Sequence, residues 1–163
     1  MNILPATIED AAVILDLQRL AYQTEAAIYD DYTIPPLVET LDQLREQFHT
    51  KRILKAVEDG RVVGSVRAFQ KDTTCFVERL IVDPEHRNRG VGAALMHRIE
   101  ATYPAAGRFE LFTGHKSVNN LRLYERLGYR EFRRQPVSEK LTLVYLERRA
   151  VPNRRGVTEY PAR

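Results

Sequence analysis

The run Leu80-Ile81-Val82-Asp83-Pro84-Glu85-His86-Arg87-Asn88-Arg89-Gly90-Val91-Gly92-Ala93-Ala94-Leu95 holds the residues best suited to chemistry. An extended segment ends at Val82 and Asp83-Pro84 turns the chain. A loop carrying Arg87, Arg89, Gly90 and Gly92 then opens a helix. Backbone N–H groups at a helix N-terminus have no partner within the helix, and the helix dipole favours negative charge there. Glycine has no Cβ, so an anion can approach the main chain. Arginines add charge-assisted hydrogen bonds. The implied chemistry is phosphate binding. A nucleotide-hydrolysing loop would need a lysine and a Ser/Thr after its glycines, and both are missing. A dinucleotide fingerprint would need a third glycine after Gly90-x-Gly92 and repeated βαβ units, which the chain lacks.

The elements that must position this loop follow from periodicity. Ile3–Ala6 reads as a short strand. Thr7 caps the helix that follows, with Glu9 and Asp10 in its first turn and Val13, Ile14, Leu17 and Leu20–Ala21 at helical spacing. Asp30 to Pro36 cannot be regular helix, because proline constrains its own φ and the residue before it. Leu37, Leu41, Leu44 and Phe48 mark a second helix. The period then changes to two. Ile53–Val57 and Val62–Phe69 form strands joined by an Asp59-Gly60 hairpin turn. Cys75–Val82 is a third strand, with Phe76, Glu78, Leu80 and Val82 on one face and Val77, Arg79 and Ile81 on the other. Gly90 to about Tyr103 is helix, Arg108–Thr113 strand, and Ser117–Leu127 a helix stopped by Gly128. Tyr129–Arg134 and Leu141–Leu146 close the order as βααβββαβαββ, a mixed α/β domain over residues 1–149. Residues 150–163, with Pro152, Gly156 and Pro161, read as an irregular basic tail.

Charge is divided unevenly. In residues 1–50 only Arg19 and Arg45 oppose nine acidic residues, so this third attracts cations and the remainder attracts anions. Much of the formal net charge of +3 resides in the tail, which makes the basic pI a weak argument for nucleic acid. Arg122, Arg126 and Arg130 read as a solvated helix edge. Cys75 is the only cysteine, which excludes an internal disulfide and suits a strand interior. His49, His86, His97 and His115 lack metal-ligand spacing, so no metal is expected. No run is long and apolar enough to cross a bilayer, and the expectation is a cytoplasmic protein.

The loop and a downstream segment, Asn120-Leu121-Arg122-Leu123-Tyr124-Glu125-Arg126-Leu127-Gly128-Tyr129, together resemble the GCN5-related N-acetyltransferase (GNAT) superfamily. Arg87-x-x-Gly90-x-Gly92 is similar to its pyrophosphate motif, Gln/Arg-x-x-Gly-x-Gly/Ala. Leu123-Tyr124 followed by Gly128-Tyr129 is similar to its second signature, and one strand lies between the two. The resemblance covers roughly residues 1–148, the first fifty in pattern only. Ser117 stands where the family often has asparagine, with Asn120 nearby.

The resemblance implies a central mixed, mostly antiparallel sheet flanked by helices, with acetyl-CoA as co-substrate and an amine-bearing acceptor. It implies that Cys75–Val82 splays from Arg108–Thr113 and that pantetheine lies in the gap. Leu80, Ile81 and Val82 would then contact pantetheine through the backbone. Arg87, Asn88, Arg89, Gly90, Val91, Gly92 and Ala93 would surround the pyrophosphate, with further contacts from Ser117, Asn120 and Tyr124. Tyr124 would protonate the leaving thiolate, and Glu78 would be the base, directly or through water. Plainer readings stand beside these: Tyr124 as a core tyrosine near Leu121 and Leu127, and Glu78 paired with Arg79 or Arg67. A non-catalytic acetyl-CoA sensor of the same fold, or an arginine-rich nucleic-acid binder, are the competing functions. Asp30, Asp31, Glu39 and Asp42 suggest a cationic acceptor. Either a monomer or a homodimer is compatible with the sequence.

Overall fold

The computed structural model describes residues 1–150, so the expected tail falls, but for Ala150, outside the described residues. One seven-stranded sheet runs β1 (Asn2–Pro5), β2 (Arg52–Glu58), β3 (Arg61–Lys71), β4 (Thr74–Val82), β5 (Arg108–Gly114), β7 (Thr142–Arg149), β6 (Arg130–Pro136) in spatial order. Every neighbouring pair is antiparallel except β4 with β5. The mixed, mostly antiparallel sheet expected from the sequence is therefore present. The β2–β3 turn is the predicted one: Asp59 and Gly60 both take positive φ, 51° and 75°, which a two-residue hairpin of this hand requires.

Among the described residues six α-helices accompany the sheet: α1 (Ala11–Ala21), α2 (Gln23–Tyr29), α3 (Pro35–Val38), α4 (Leu41–Thr50), α5 (Val91–Ala101) and α6 (Val118–Arg126). The sequence pattern gave two helices before β2, and the structure has four. Asp30 at φ 49° ends α2, and Pro35 and Pro36 open α3. Proline blocks a helix interior but fits its first turn, where its missing N–H has no intrahelical role. The entry to α1 differs from the expectation: Thr7 precedes a 3-10 turn, Ile8–Asp10, that leads into α1. The Thr7 N–H donates to Asp10 Oδ2 at 2.8 Å, while its side chain makes no cap bond. The buried stripe of α1 also differs. Ile14, Leu17, Gln18 and Ala21 face inward, whereas Val13 and Leu20 are half exposed.

Two apolar clusters occupy opposite faces of the sheet. One gathers α5 and α6 residues, including Leu95, Met96, Ile99 and Tyr124, against β3, β4 and β5. The other gathers α1 and α4 residues, including Ile14, Leu17 and Leu44, against Ile53 and Ile81. Each large aliphatic side chain so buried contributes about 1.5–3 kcal/mol. Strict alternation along β4 fails at one point. Two residues, Arg79 and Leu80, oppose Val66 of β3, and Arg79 has φ 53°. This bulge reverses the faces beyond it. Val77 lies in the α5–α6 cluster, but Ile81 lies in the α1–α4 cluster, and Leu80 and Val82 pack on the former.

Candidate active site

The parallel β4–β5 pair is bonded only at its start, Thr74–Phe76 against Arg108–Glu110. Beyond Phe76 each strand keeps its other neighbour: β4 stays on β3 to Val82, and β5 stays on β7 to Gly114. One edge of each strand is thus left facing a gap, the splay expected from the resemblance. Past Val82 the chain turns through Asp83, whose carboxylate accepts from the Glu85 N–H at 2.8 Å. It then enters α5 at Gly90, which has φ 81°.

Ala94 N–H is the first to bond within the helix, to Gly90 O at 3.0 Å, and no side chain caps the N-terminus. The N–H groups of Val91, Gly92 and Ala93 therefore have no helical partner. Exposed Arg89 has no ion-pair partner among the described residues. Unbonded N–H groups, a dipole end and an uncommitted guanidinium fit a pyrophosphate. The two glycines act differently. Gly90 is fixed by its positive φ, since a Cβ there would meet open space, while a Cβ on Gly92 would press Leu123 of α6 at 3.3 Å. Gly92 therefore serves helix packing. Arg87 turns inward: its Nη1 donates to Thr24 Oγ1 and its Nη2 to Ala21 O, each at 3.0 Å. Its side chain binds the loop to the α1–α2 junction.

Tyr124 lies in the α5–α6 cluster, 7% exposed, with its ring 6.0 Å from that of Tyr129. Its hydroxyl makes no hydrogen bond among the described residues. Burial, assisted by Tyr22 and the negative charge of Glu25, pushes its phenol well above the ordinary range, so it carries its proton at any working pH.

Glu78 leaves β4 on the opposite face. It pairs with Lys51 and lies 3.5 Å from Arg67 Nε, which bears out the plainer Glu78–Arg67 reading. Arg67 also forms a fork with Glu39, at 3.3 and 3.1 Å, and Gln18 donates to Glu39 at 2.9 Å. Burial raises the Glu39 carboxyl, but hydrogen bonds from Arg67 and Gln18 outweigh it and hold the group below the usual carboxylate range. Glu39 is thus bound internally and offers no charge to an acceptor. Asp30, Asp31 and Asp42 remain at the surface, Asp30 beside Lys140 at 3.6 Å and Asp42 beside Arg45 at 3.5 Å.

Ser117 and Asn120, at the start of α6, face α2. Ser117 is 2% exposed; its hydroxyl meets Tyr29 Oη at 2.8 Å and donates to Glu25 Oε2. Asn120 Nδ2 donates to Thr113 Oγ1 at 3.3 Å and Glu25 Oε1 at 3.4 Å. Lys116 N–H donates to Tyr29 Oη at 2.9 Å. The Tyr29 hydroxyl sits directly over Gly114, where any Cβ would collide with it. The sequence pattern did not single out Tyr22, Glu25 and Tyr29, although they recur at helical spacing. That stripe was the available signal, and it was lost because the helix was ended near Ala21. Cys75 is fully buried, as expected of a strand interior, and burial pushes its thiol up to about 12. Among the described residues, no group of His, Cys, Asp and Glu gathers as a metal site would, and no helix is long and apolar enough to cross a membrane.

A family model described as acetyltransferase (GNAT) family matches residues 14–129. The chain belongs to the GNAT acetyltransferase family. Solved structures share the fold of this GNAT protein over nearly their whole length. The smu.2055 protein of Streptococcus mutans UA159 is 15% identical with a TM-score of 0.78, covering 91% of this chain and 99% of its own. An N-acetyltransferase from Staphylococcus aureus Mu50 is 20% identical with a TM-score of 0.74, covering 91% and 97%. The yncA putative acetyltransferase from Salmonella typhimurium, solved with acetyl-CoA, is 21% identical with a TM-score of 0.71, covering 94% and 98%. No curated protein sequence matches the chain.

Proposed function

We propose that this GNAT protein is an N-acetyltransferase that moves the acetyl group of acetyl-CoA to an amine, by direct attack of the amine within a ternary complex. The observation that carries the reading is the β4–β5 gap, which leads to the unbonded N-terminus of α5. The acetyl-CoA named with the yncA protein supports the co-substrate, and the activity named for the Staphylococcus aureus protein supports an amine acceptor. Residues 1–149 form the catalytic domain in this reading. Leu80, Ile81 and Val82 offer their backbone to pantetheine. Asn88, Arg89 and the N–H groups of Gly90, Val91, Gly92 and Ala93 hold the pyrophosphate. Arg87 contributes through its backbone, its side chain being engaged by Thr24 and Ala21. Asn120 keeps an amide oxygen for the cofactor arm, and Ser117 acts behind it.

Attack by a neutral amine forms the C–N bond, and departure of sulfur breaks the C–S bond. Tyr124 gives its proton to the departing thiolate and recovers one from the amide nitrogen. Its burial, which keeps the phenol protonated, suits that task. Glu78 is less suited to act as a base, because Lys51 and Arg67 already compensate its charge.

Calorimetric titration with acetyl-CoA tests the reading. One-site saturable binding, followed by thiol release when an amine is added, is the expected result. Folded protein that binds no acetyl-CoA overturns it, and binding without thiol release for any amine favours a sensor.

A further inference from the structure

Glu25 is the carboxylate of the gap whose charge no cation cancels. Other acids at or near the site each have a positive partner: Glu39 with Arg67, Glu78 with Lys51 and Arg67, and Glu100 with Arg148. Buried Asp83, outside the gap, has His86 at 3.7 Å. Among the described residues, Glu25 has only neutral donors, Ser117 and Asn120. Those two residues open α6, and Tyr124 follows Asn120 by one helical turn. Thr113, which shares Asn120, stands at the far end of β5 on the open side of the gap. A carboxylate from α2 is thereby carried across to the helix that bears the expected proton donor. The bonds are ordered in one direction. Lys116 N–H occupies Tyr29 Oη, so Tyr29 donates to Ser117, and Ser117 donates to Glu25.

We infer that Glu25 is the base that takes the proton from the acceptor's ammonium group. The inference rests on the amine-acetylation reading. In this step an N–H bond of R–NH3+ breaks, its proton goes to the Glu25 carboxylate, and the electron pair left on nitrogen forms the C–N bond. The proton on Glu25 then passes to solvent. Tyr29, Ser117 and Asn120 are positioning residues that fix the direction of the carboxylate. The ionisable groups around it are Tyr22 and Tyr29 from its own side and Tyr124 from α6. Arg79, Arg67 and Glu78 act on Tyr22 through their charges, Arg87 binds Thr24 next to Glu25 at 3.0 Å, and Lys116 and His115 adjoin Ser117 and Tyr29. Glu25 raises the phenols of both Tyr22 and Tyr124, as a charged neighbour of each would. The chemical need is plain, since an alkylamine with a pKa of about 10 is about one part in a thousand neutral at pH 7.

The test compares wild type, Glu25→Gln and Glu25→Asp. The probe is whichever of spermidine, kanamycin and a peptide with a free α-amino group the wild type acetylates fastest. kcat/KM is followed from about pH 6 to about pH 9, across the range where the neutral amine fraction changes. The wild-type profile is expected to be nearly flat on its upper side. E25Q loses about 10²-fold or more at neutral pH and then climbs about tenfold per pH unit, because the amine must arrive already neutral. E25D retains the wild-type shape, and acetyl-CoA binding by calorimetry is unchanged in both variants. Turnover with an unaltered profile in E25Q, or a loss of equal size at every pH, overturns the assignment alone. Wild type that binds no acetyl-CoA, or binds it and acetylates none of the three amines, overturns the reading beneath it.

Discussion

Tyr124 and Tyr129 lie five residues apart in the same apolar cluster, both almost fully buried, and they have opposite surroundings. Tyr129 donates to Glu100 at 2.9 Å, and Arg148 closes on the same oxygen at 2.9 and 2.6 Å. That cluster ties α5 to β7 and is complete in charge and hydrogen bonds. Tyr124 has no hydrogen-bond partner among the described residues, and the carboxylate near it, Glu25, has no cation. One tyrosine is thus satisfied within the chain, and its neighbour is the one proposed to meet the cofactor's sulfur.

The contrast breaks most violently at Arg148. Arg148→Ala leaves Glu100 buried without its cation, and stability should fall by about 3–5 kcal/mol, read as a lower urea midpoint. Tyr124→Phe should lower kcat by about 10²-fold, with the melting temperature and acetyl-CoA affinity nearly unchanged. Tyr129→Phe should do the reverse, costing about 1–2 kcal/mol of stability while kcat holds. Equal losses of kcat in these two variants would erase the distinction between the tyrosines.

The smallest effect is on acid stability. Glu39 has a folded pKa below its unfolded one, so its contribution is present above the unfolded value and lost as pH falls through the folded value. Urea midpoints should therefore decline below about pH 4, the ordinary carboxylate range. They should decline less steeply in Glu39→Gln, whose midpoint is already lower at neutral pH. An identical acid slope in that variant would remove Glu39 from the account.

Most of the sheet was legible because its signals are local. Asp59-Gly60 dictates a hairpin by its backbone preferences alone, and Asp83-Pro84 followed by Gly90 separates β4 from α5. The misreadings arose where a local rule had two outcomes. Pro35-Pro36 could bar a helix or begin one, and the flanking chain chose the second. The alternation along β4 gave no warning of the bulge at Arg79, since an extra residue shows only against the strand opposite. At Gly92 the sequence held no sign of a second demand, the close approach of Leu123.

The sequence by itself determined the family, the glycine-bearing turn into α5 and the place of the tyrosine on α6, because each depends on residues a few positions apart. Only the tertiary structure decided which charges are cancelled. Arg87 reaches back to Thr24, Arg67 closes on Glu39, and Ser117 meets Glu25 across 92 positions of sequence. Pairings of that kind depend on how the gap, the bulge and the α1–α2 junction come together in space. No periodicity records them, and they separate an acid held by cations, such as Glu78, from one met by neutral donors, such as Glu25.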